Sequence, residues 1–295
     1  MSEYIVAIHQ GTRNTRCVIF DQQATPISAM QLEHRQIYLR PGWVEHRPVE
    51  IWERVQEVFS KTLKKTRIQP KDLVALGITN QRETTILWDK QTGQPFYNAI
   101  VWQDTRTQEI CNQLISEGYQ DFIRNRTGIP LSTYFSGPKI KWILDNVSGV
   151  RRAAEQGQVL FGNIDTWLIW WLTGGPARGT HITDVTNASR TLLMNLRTLE
   201  WDAEICRLLN IPCQILPRII PSSDSQRTAW TTHDGPFKAA IPICGVLGDQ
   251  QAALVGQTCY SPGEAKNTYS TGCFILLNTG NLLVMSKSGL LTTVA

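Results

Sequence analysis

The order of apolar segments along the chain predicts an α/β fold: a mixed β-sheet with helices packed against it. Strand-like segments come first, helix-like and strand-like patterns then alternate, and a second strand–turn–strand unit follows near residue 265. Tyr4–Ile8 is short, apolar and β-branched. The polar turn His9–Arg16 follows it, and Cys17–Phe20 reads as a second strand closed by Asp21–Gln23. A third strand is expected near Ile27–Leu32. Pro48 sits where a helix can begin, and Ile51, Val55, Val58, Phe59 and Leu63 keep near-helical spacing. Leu73–Ile78 reads as a buried strand and Thr84–Trp88 as another. Ile110–Ile115 and Ile140–Asn146 read as helices, Ile164–Trp171 as an apolar helix, and the Pro- and Ser-containing Ile219–Ser225 as a loop. Ile241–Leu247 is a strand that stops at Gly248-Asp249-Gln250-Gln251.

A length of 295 residues suggests two domains, at roughly 150 residues each. We place the first at residues 1–257 and the start of a second at residues 258–295. Gly289–Ala295 is apolar and strand-like, so the sequence reads as cut inside the second domain. With 29 Lys and Arg against 25 Asp and Glu, the net charge of +4 is too even to indicate a nucleic-acid or membrane-surface partner. No apolar run approaches the ~18 residues that span a bilayer. The Met-Ser-Glu-Tyr start lacks the basic segment of a secretory signal. Seven dispersed cysteines without a C-x-x-C pair read as free thiols, small buried hydrophobes of a cytoplasmic protein. Whether the chain forms a homo-oligomer is left open by the sequence.

Two turns have the composition of an anion cradle. Gly11-Thr12 and Ser270-Thr271-Gly272 each lie between two strands and offer backbone N–H groups and hydroxyls. They are also ordinary hairpin chemistry, and neither is a Walker loop or a G-x-G-x-x-G turn. Their shared layout reads as a faint internal duplication. Asp249 ends a strand beside Gln250, where a carboxylate can project into a cleft and accept a hydroxyl proton; the alternative is a helix N-cap. Arg82 and Glu83 follow the Leu73–Ile78 strand. Together they offer donors and an acceptor, which suits a polyol; the alternative is a solvated ion pair. Trp102, Tyr134 and Phe274 are candidate apolar walls or core residues.

The strings QRETT (81–85), NAIVWQ (98–103), DVTNASRT (184–191), GDQQAAL (248–254) and KNTYSTGCF (266–274) resemble the glycerol kinase group of the carbohydrate kinases, from Tyr4 to Ala295 in order. The resemblance implies the ribonuclease H-like fold of the actin and Hsp70 ATPases, with ATP and Mg²⁺ used to phosphorylate glycerol. It covers the N-terminal domain and the first hairpin of a C-terminal one. It implies Asp249 as the general base. Arg82, Glu83, Tyr134, Asp249 and Gln250 would bind the glycerol hydroxyls, with Trp102 and Phe274 against its carbon face. Thr12, Arg13, Asn14 and Arg16 would lie in the first phosphate hairpin and Thr271 in the second. This sequence departs from the family's Asp-Gln-Gly-Thr by having His9 where that Asp helps hold Mg²⁺. It also has Arg13 and Asn14 at small hydroxyl positions and Ser270 at a Gly. Mg²⁺ prefers carboxylate and water oxygens to imidazole, so His9 puts the metal site in question. Ser270 requires a negative φ there.

Overall fold

The computed structural model describes residues 3–295. The chain runs through β1 (Tyr4–Gln10), β2 (Asn14–Phe20), β3 (Pro26–Glu33), β4 (Glu45–His46), α1 (Pro48–Lys64), β5 (Leu73–Asn80), β6 (Ile86–Asp89) and β7 (Ala99–Ile100). A mostly helical stretch follows: α2 (Gln108–Ser116), α3 (Gln120–Thr127), α4 (Ser136–Asn146), α5 (Val150–Glu155), β8 (Val159–Gly162) and α6 (Ile164–Leu172). Then come β9 (Ile182–Asp184), α7 (Val185–Ala188), β10 (Met194–Asn195), β11 (Glu200–Trp201), α8 (Ala203–Leu208), β12 (Arg218–Ile220), β13 (Ile243–Gly248) and α9 (Asp249–Gly256). The hairpin β14 (Ala265–Tyr269) and β15 (Cys273–Leu277) completes the set.

The central sheet has the order β13-β5-β1-β2-β3. β1, β2 and β3 are joined antiparallel, while β5 and β13 run parallel to β1. Inward-facing Val6, Ile8, Cys17 and Ile19 are fully buried. They are covered by α1, which turns Ile51, Val55, Val58 and Phe59 to the sheet. Each such side chain contributes about 1.5–3 kcal/mol. Beside α1 in the same core lies α6: Trp167 donates its indole N–H to Pro48 O at 3.0 Å, and Trp167 and Trp170 pack edgewise on Trp88. A second core forms under α3, α4, α5 and α8, around Ile123, Phe135, Ile140, Phe161 and Ile205.

The mixed sheet and the elements read from periodicity are present. Several boundaries and small elements differ. The strand expected from Thr84 begins at Ile86 and pairs with β8, outside the central sheet. The strand expected from Ile241 begins at Ile243. Gly289–Ala295 forms no strand. Its backbone instead docks on loops, Thr292 N–H donating to Gly128 O at 3.0 Å and Val294 O accepting from Gln251 Nε2 at 3.0 Å. All seven cysteines are free, but Cys213 and Cys273 are exposed and Cys244 is only partly covered, so these three are not core hydrophobes. No helix among the described residues is long and apolar enough to cross a membrane.

Asp165, buried in α6, accepts a 2.6 Å bond from the Thr183 hydroxyl. Burial first, and then the neighbouring Asp184 carboxylate, push its carboxyl from 3.8 up to about 7. Ionisation is thus easier in the unfolded chain. The stability this group contributes is complete below the unfolded value of 3.8 and is lost as pH climbs through about 7. Asp165→Asn removes that loss. The urea midpoint of the variant, relative to the parent, is expected to rise across this window and to level off above it.

Candidate active site

The three parallel strands end together. Gln10 on β1 stands opposite Asn80 on β5, which stands opposite Gly248 on β13. Residues just beyond this row enter one cavity of about 620 Å³: Gly11 and Thr12 after β1, Gln81–Glu83 after β5, and Asp249 after β13. Crevices outside the carboxyl ends of parallel strands are where α/β folds bind ligands. Trp102, Tyr134, Gln250 and Phe274 line the same cavity, as do His9, Arg13, Asn14, Ser270, Thr271 and Gly272. Arg16 does not. It stands exposed on β2 directly opposite His9 in the antiparallel register, so the two side chains share one face of the hairpin.

The cavity is lined by charges held in pairs. Arg82 Nε lies 3.1 Å from Asp249 Oδ1. Arg190 Nε donates to Glu83 Oε1 at 2.6 Å, with both side chains almost fully buried. These are neither a solvated Arg82–Glu83 pair nor a helix cap: the residue capping α9 is Gly248. Burial disfavours the Arg82 guanidinium, but Glu83 and Asp249 outweigh it and raise its pKa. Burial raises the Asp249 carboxyl above the usual range, with Arg82 opposing and Glu83 adding to the rise. The Arg82–Asp249 contact is not an aligned hydrogen bond, which leaves Asp249 Oδ1 able to accept a proton donor. The Tyr134 hydroxyl is pushed up to about 12 by burial and by the Glu83 carboxylate, so it stays a donor.

Local chemistry fixes these positions. Glu83 has φ +62°, a left-handed conformation rare for a residue with a side chain. It turns the chain sharply out of β5. A Cβ on Gly248 would stand 2.6 Å from Arg82 Cδ, so only glycine lets Arg82 cross β13 to reach Asp249. Phe274 folds back over Gly272, where a Cβ would come within 2.6 Å of its ring. Trp102 packs edgewise on Tyr134 and Phe274, at 5.6 and 6.3 Å. Its indole N–H donates to Thr12 Oγ1 at 2.9 Å, linking the aromatic wall to the first hairpin.

Both hairpins cross the cavity mouth through turns of the same length, Gly11–Arg13 and Ser270–Gly272. Ser270 is not left-handed, so its side chain is tolerated. His9 is shifted below its ordinary pKa by burial and by Arg16, against the pull of Asp249, and is a neutral imidazole at pH 7.

Three contributors lay within the quoted strings without being singled out. Arg190 holds Glu83. Lys266 bonds Gln250 Oε1 and fixes that amide. The α7 turn braces the floor: Asp184 caps it, Asn187 Oδ1 accepts from Asn80 Nδ2 at 3.0 Å, and Thr186 Oγ1 accepts from Gly248 N–H at 2.9 Å. Only tertiary proximity reveals these partners.

The fold is that of a carbohydrate-kinase N-terminal domain, and residues 4–256 match the FGGY family of carbohydrate kinases, N-terminal domain. The chain belongs to this family. Within it, the chain is 62% identical over 294 residues to a glycerol kinase of Chloroflexus aurantiacus, covering all of this chain and 58% of that protein. It is 58% identical over 293 residues to the glycerol kinase of Mycobacterium tuberculosis, covering 99% and 57%. The crystal structure of Plasmodium falciparum glycerol kinase with ADP superposes with a TM-score of 0.92 at 39% identity, over 99% of this chain and 57% of that one. A gluconate kinase from Lactobacillus acidophilus, at TM-score 0.80 and 21% identity, shares the fold over 93% and 54%. The chain thus spans a little over half the length of the curated relatives it matches. The actin- and Hsp70-like architecture is the one observed.

Arg190→Met leaves the Glu83 carboxylate buried without its partner. The variant is expected to lose about 3–5 kcal/mol of stability in urea unfolding, whereas an exposed pair such as Lys61–Glu57 changes it by about 1 kcal/mol or less when broken.

Proposed function

We propose that this cavity binds glycerol and that the protein to which the chain belongs transfers the γ-phosphoryl group of ATP to it, giving glycerol 3-phosphate and ADP. The observation that carries the reading is the convergence of Arg82, Glu83, Trp102, Tyr134, Asp249, Gln250 and Phe274 on one cavity. A small polyol needs donors, acceptors and an apolar flank at once. Arg82 and Gln250 donate, Glu83 and Asp249 accept, and Trp102 and Phe274 cover the carbon chain. On this reading Asp249 takes the proton of a terminal hydroxyl as its oxygen attacks the γ-phosphorus and the bond to the ADP oxygen breaks. The raised pKa of Asp249 makes it a better base than a solvated carboxylate. Residues 1–257 then form the substrate domain, and residues 258–295 open a nucleotide-binding domain. A cytoplasmic setting belongs to the same proposal.

The hairpins suit phosphate. Thr12 accepts from Trp102, which leaves its own proton for an anion, and Asn14 and Thr271 line the same space. Arg13 adds a guanidinium. The donor set does not suit Mg²⁺. His9 offers imidazole, the Asp249 and Glu83 carboxylates are paired with arginines, and the described residues hold no cluster of three metal-ligating side chains. His9 also favours a second reading, in which the chain binds polyol without phosphoryl transfer.

Calorimetric titration with glycerol and a coupled assay with ATP, glycerol and a divalent metal separate these readings. Asp249→Asn is expected to keep glycerol binding while turnover falls about 10²–10⁴-fold. Equal turnover in parent and variant would discard Asp249 as base, and absence of glycerol binding would discard the cavity assignment. His9→Asp is expected to make ATP binding metal-dependent, with an affinity gain of about tenfold on adding Mg²⁺ that the parent lacks.

A further inference from the structure

We infer that Lys139 is a positioning residue for the polyol end of the cavity, bracing the Tyr134 ring and the Glu83 corner through the first turn of α4. The inference rests on the polyol reading of the site. Lys139 is completely buried. Its Nζ donates to Tyr134 O at 2.6 Å and to Phe135 O at 3.3 Å. Among the described residues no carboxylate lies within ion-pair distance of it. Stability alone argues against an amine here. The site is desolvated and lies in the N-terminal turn of a helix, where the backbone dipole repels a cation. What an apolar residue of the same size could not supply is two directed bonds to carbonyls that turn inward just ahead of the helix.

Those carbonyls belong to the segment that carries Tyr134. The same turn grips the opposite wall. Ser136 Oγ donates to Glu83 O at 3.1 Å, and Asn163 Nδ2 donates to Ser136 Oγ at 3.0 Å and to Thr84 O at 2.9 Å. The left-handed backbone of Glu83 persists only if its surroundings over-determine it. Lys139, Ser136 and Asn163 therefore form one buried polar brace behind two substrate-facing residues on different segments.

Burial lowers the Lys139 amine to about 7, with Arg106 pushing the same way and with Glu83, Asp104 and Cys111 opposing. An ammonium has three donors and a neutral amine two, so both forms satisfy the two carbonyls. Lys139 works as a donor pair, independent of its charge.

Lys139→Met keeps the apolar stem and removes the donors. The expected result is a glycerol Kd raised about tenfold or more in calorimetry. Hydrogen exchange at the Tyr134, Phe135 and Gly137 amides should quicken about tenfold, while amides of β1 and β5 keep their rates. A glycerol Kd within about twofold of the parent would overturn the inference, as would exchange that quickens evenly across the sheet, the mark of a merely structural residue. Should this variant not fold, Ser136→Ala reads the other arm of the brace. It is expected to raise the Kd about threefold and to quicken the same amides, and no change in either would overturn the inference. Should the parent bind no glycerol, the polyol reading fails by itself. The exchange rates then decide the brace, and unchanged local rates would reject it.

Discussion

The cross-strand row Gln10–Asn80–Gly248 is the constraint on which the site depends. Parallel strands all end at the same edge of a sheet, so three chain segments far apart in sequence deliver their next residues to one place. A slip of a single residue in β5 or β13 would send Arg82 or Asp249 to the wrong face of the sheet. The register is therefore held from outside. Asn187 ties Asn80, and Thr186 ties the Gly248 amide, both from the short α7 turn capped by Asp184. The Asp184 carboxylate also accepts from the Ser222 hydroxyl at 2.6 Å, so the brace reaches the loop before β13.

Charges placed beyond that edge are costly to bury, and the site handles them by alternation. Arg82 faces Asp249, and Arg190 faces Glu83, with Arg82 and Glu83 adjacent in sequence. Each guanidinium also lies over an aromatic face, Arg82 over Phe274 at 5.4 Å and Arg190 over Tyr134 at 5.4 Å. Such pairs add little net stability against apolar replacements. They give a preorganised ring of donors and acceptors whose dipoles are already fixed around the cavity. Trp102 then couples this ring to the first hairpin through Thr12. The charged ring and the hairpin turn are thereby joined by one aromatic wall.

What the sequence disclosed and what it hid follow from the range of the interactions. The hairpins, α1 and the β13-to-α9 junction were legible because local patterning dictates them: alternation, a Pro at the helix start, and a Gly before Asp249. The cavity residues were legible through the resemblance, since Arg82, Glu83 and Asp249 lie in long strings. Short elements such as α3, α5 and β8 escaped because six to eight residues, or a four-residue strand, carry too little periodicity. Gly289–Ala295 departs from its strand-like pattern for a different reason: its backbone bonds to Gly128, Ser189 and Gln251, with no strand beside it, and Leu290 and Leu291 stay exposed.

His9 shows how one residue can leave a fold intact and change its chemistry. Its position on β1 is fixed by the pairing with Arg16 on β2 and with Thr79 on β5, and either Asp or His fits that backbone. The difference is electrostatic. A carboxylate there would stand near Asp249 and make an acidic pair able to hold a hard cation. A neutral imidazole beside Asp249 gives up that charge, and the cationic Arg13 enters the same wall. The local potential at the hairpin is thereby less negative than a carboxylate at position 9 would make it. His9 and Arg13 line the same cavity as Asp249, and His9 and Asp249 act on each other electrostatically, so the residue at position 9 bears on the hairpin and on the proposed base together.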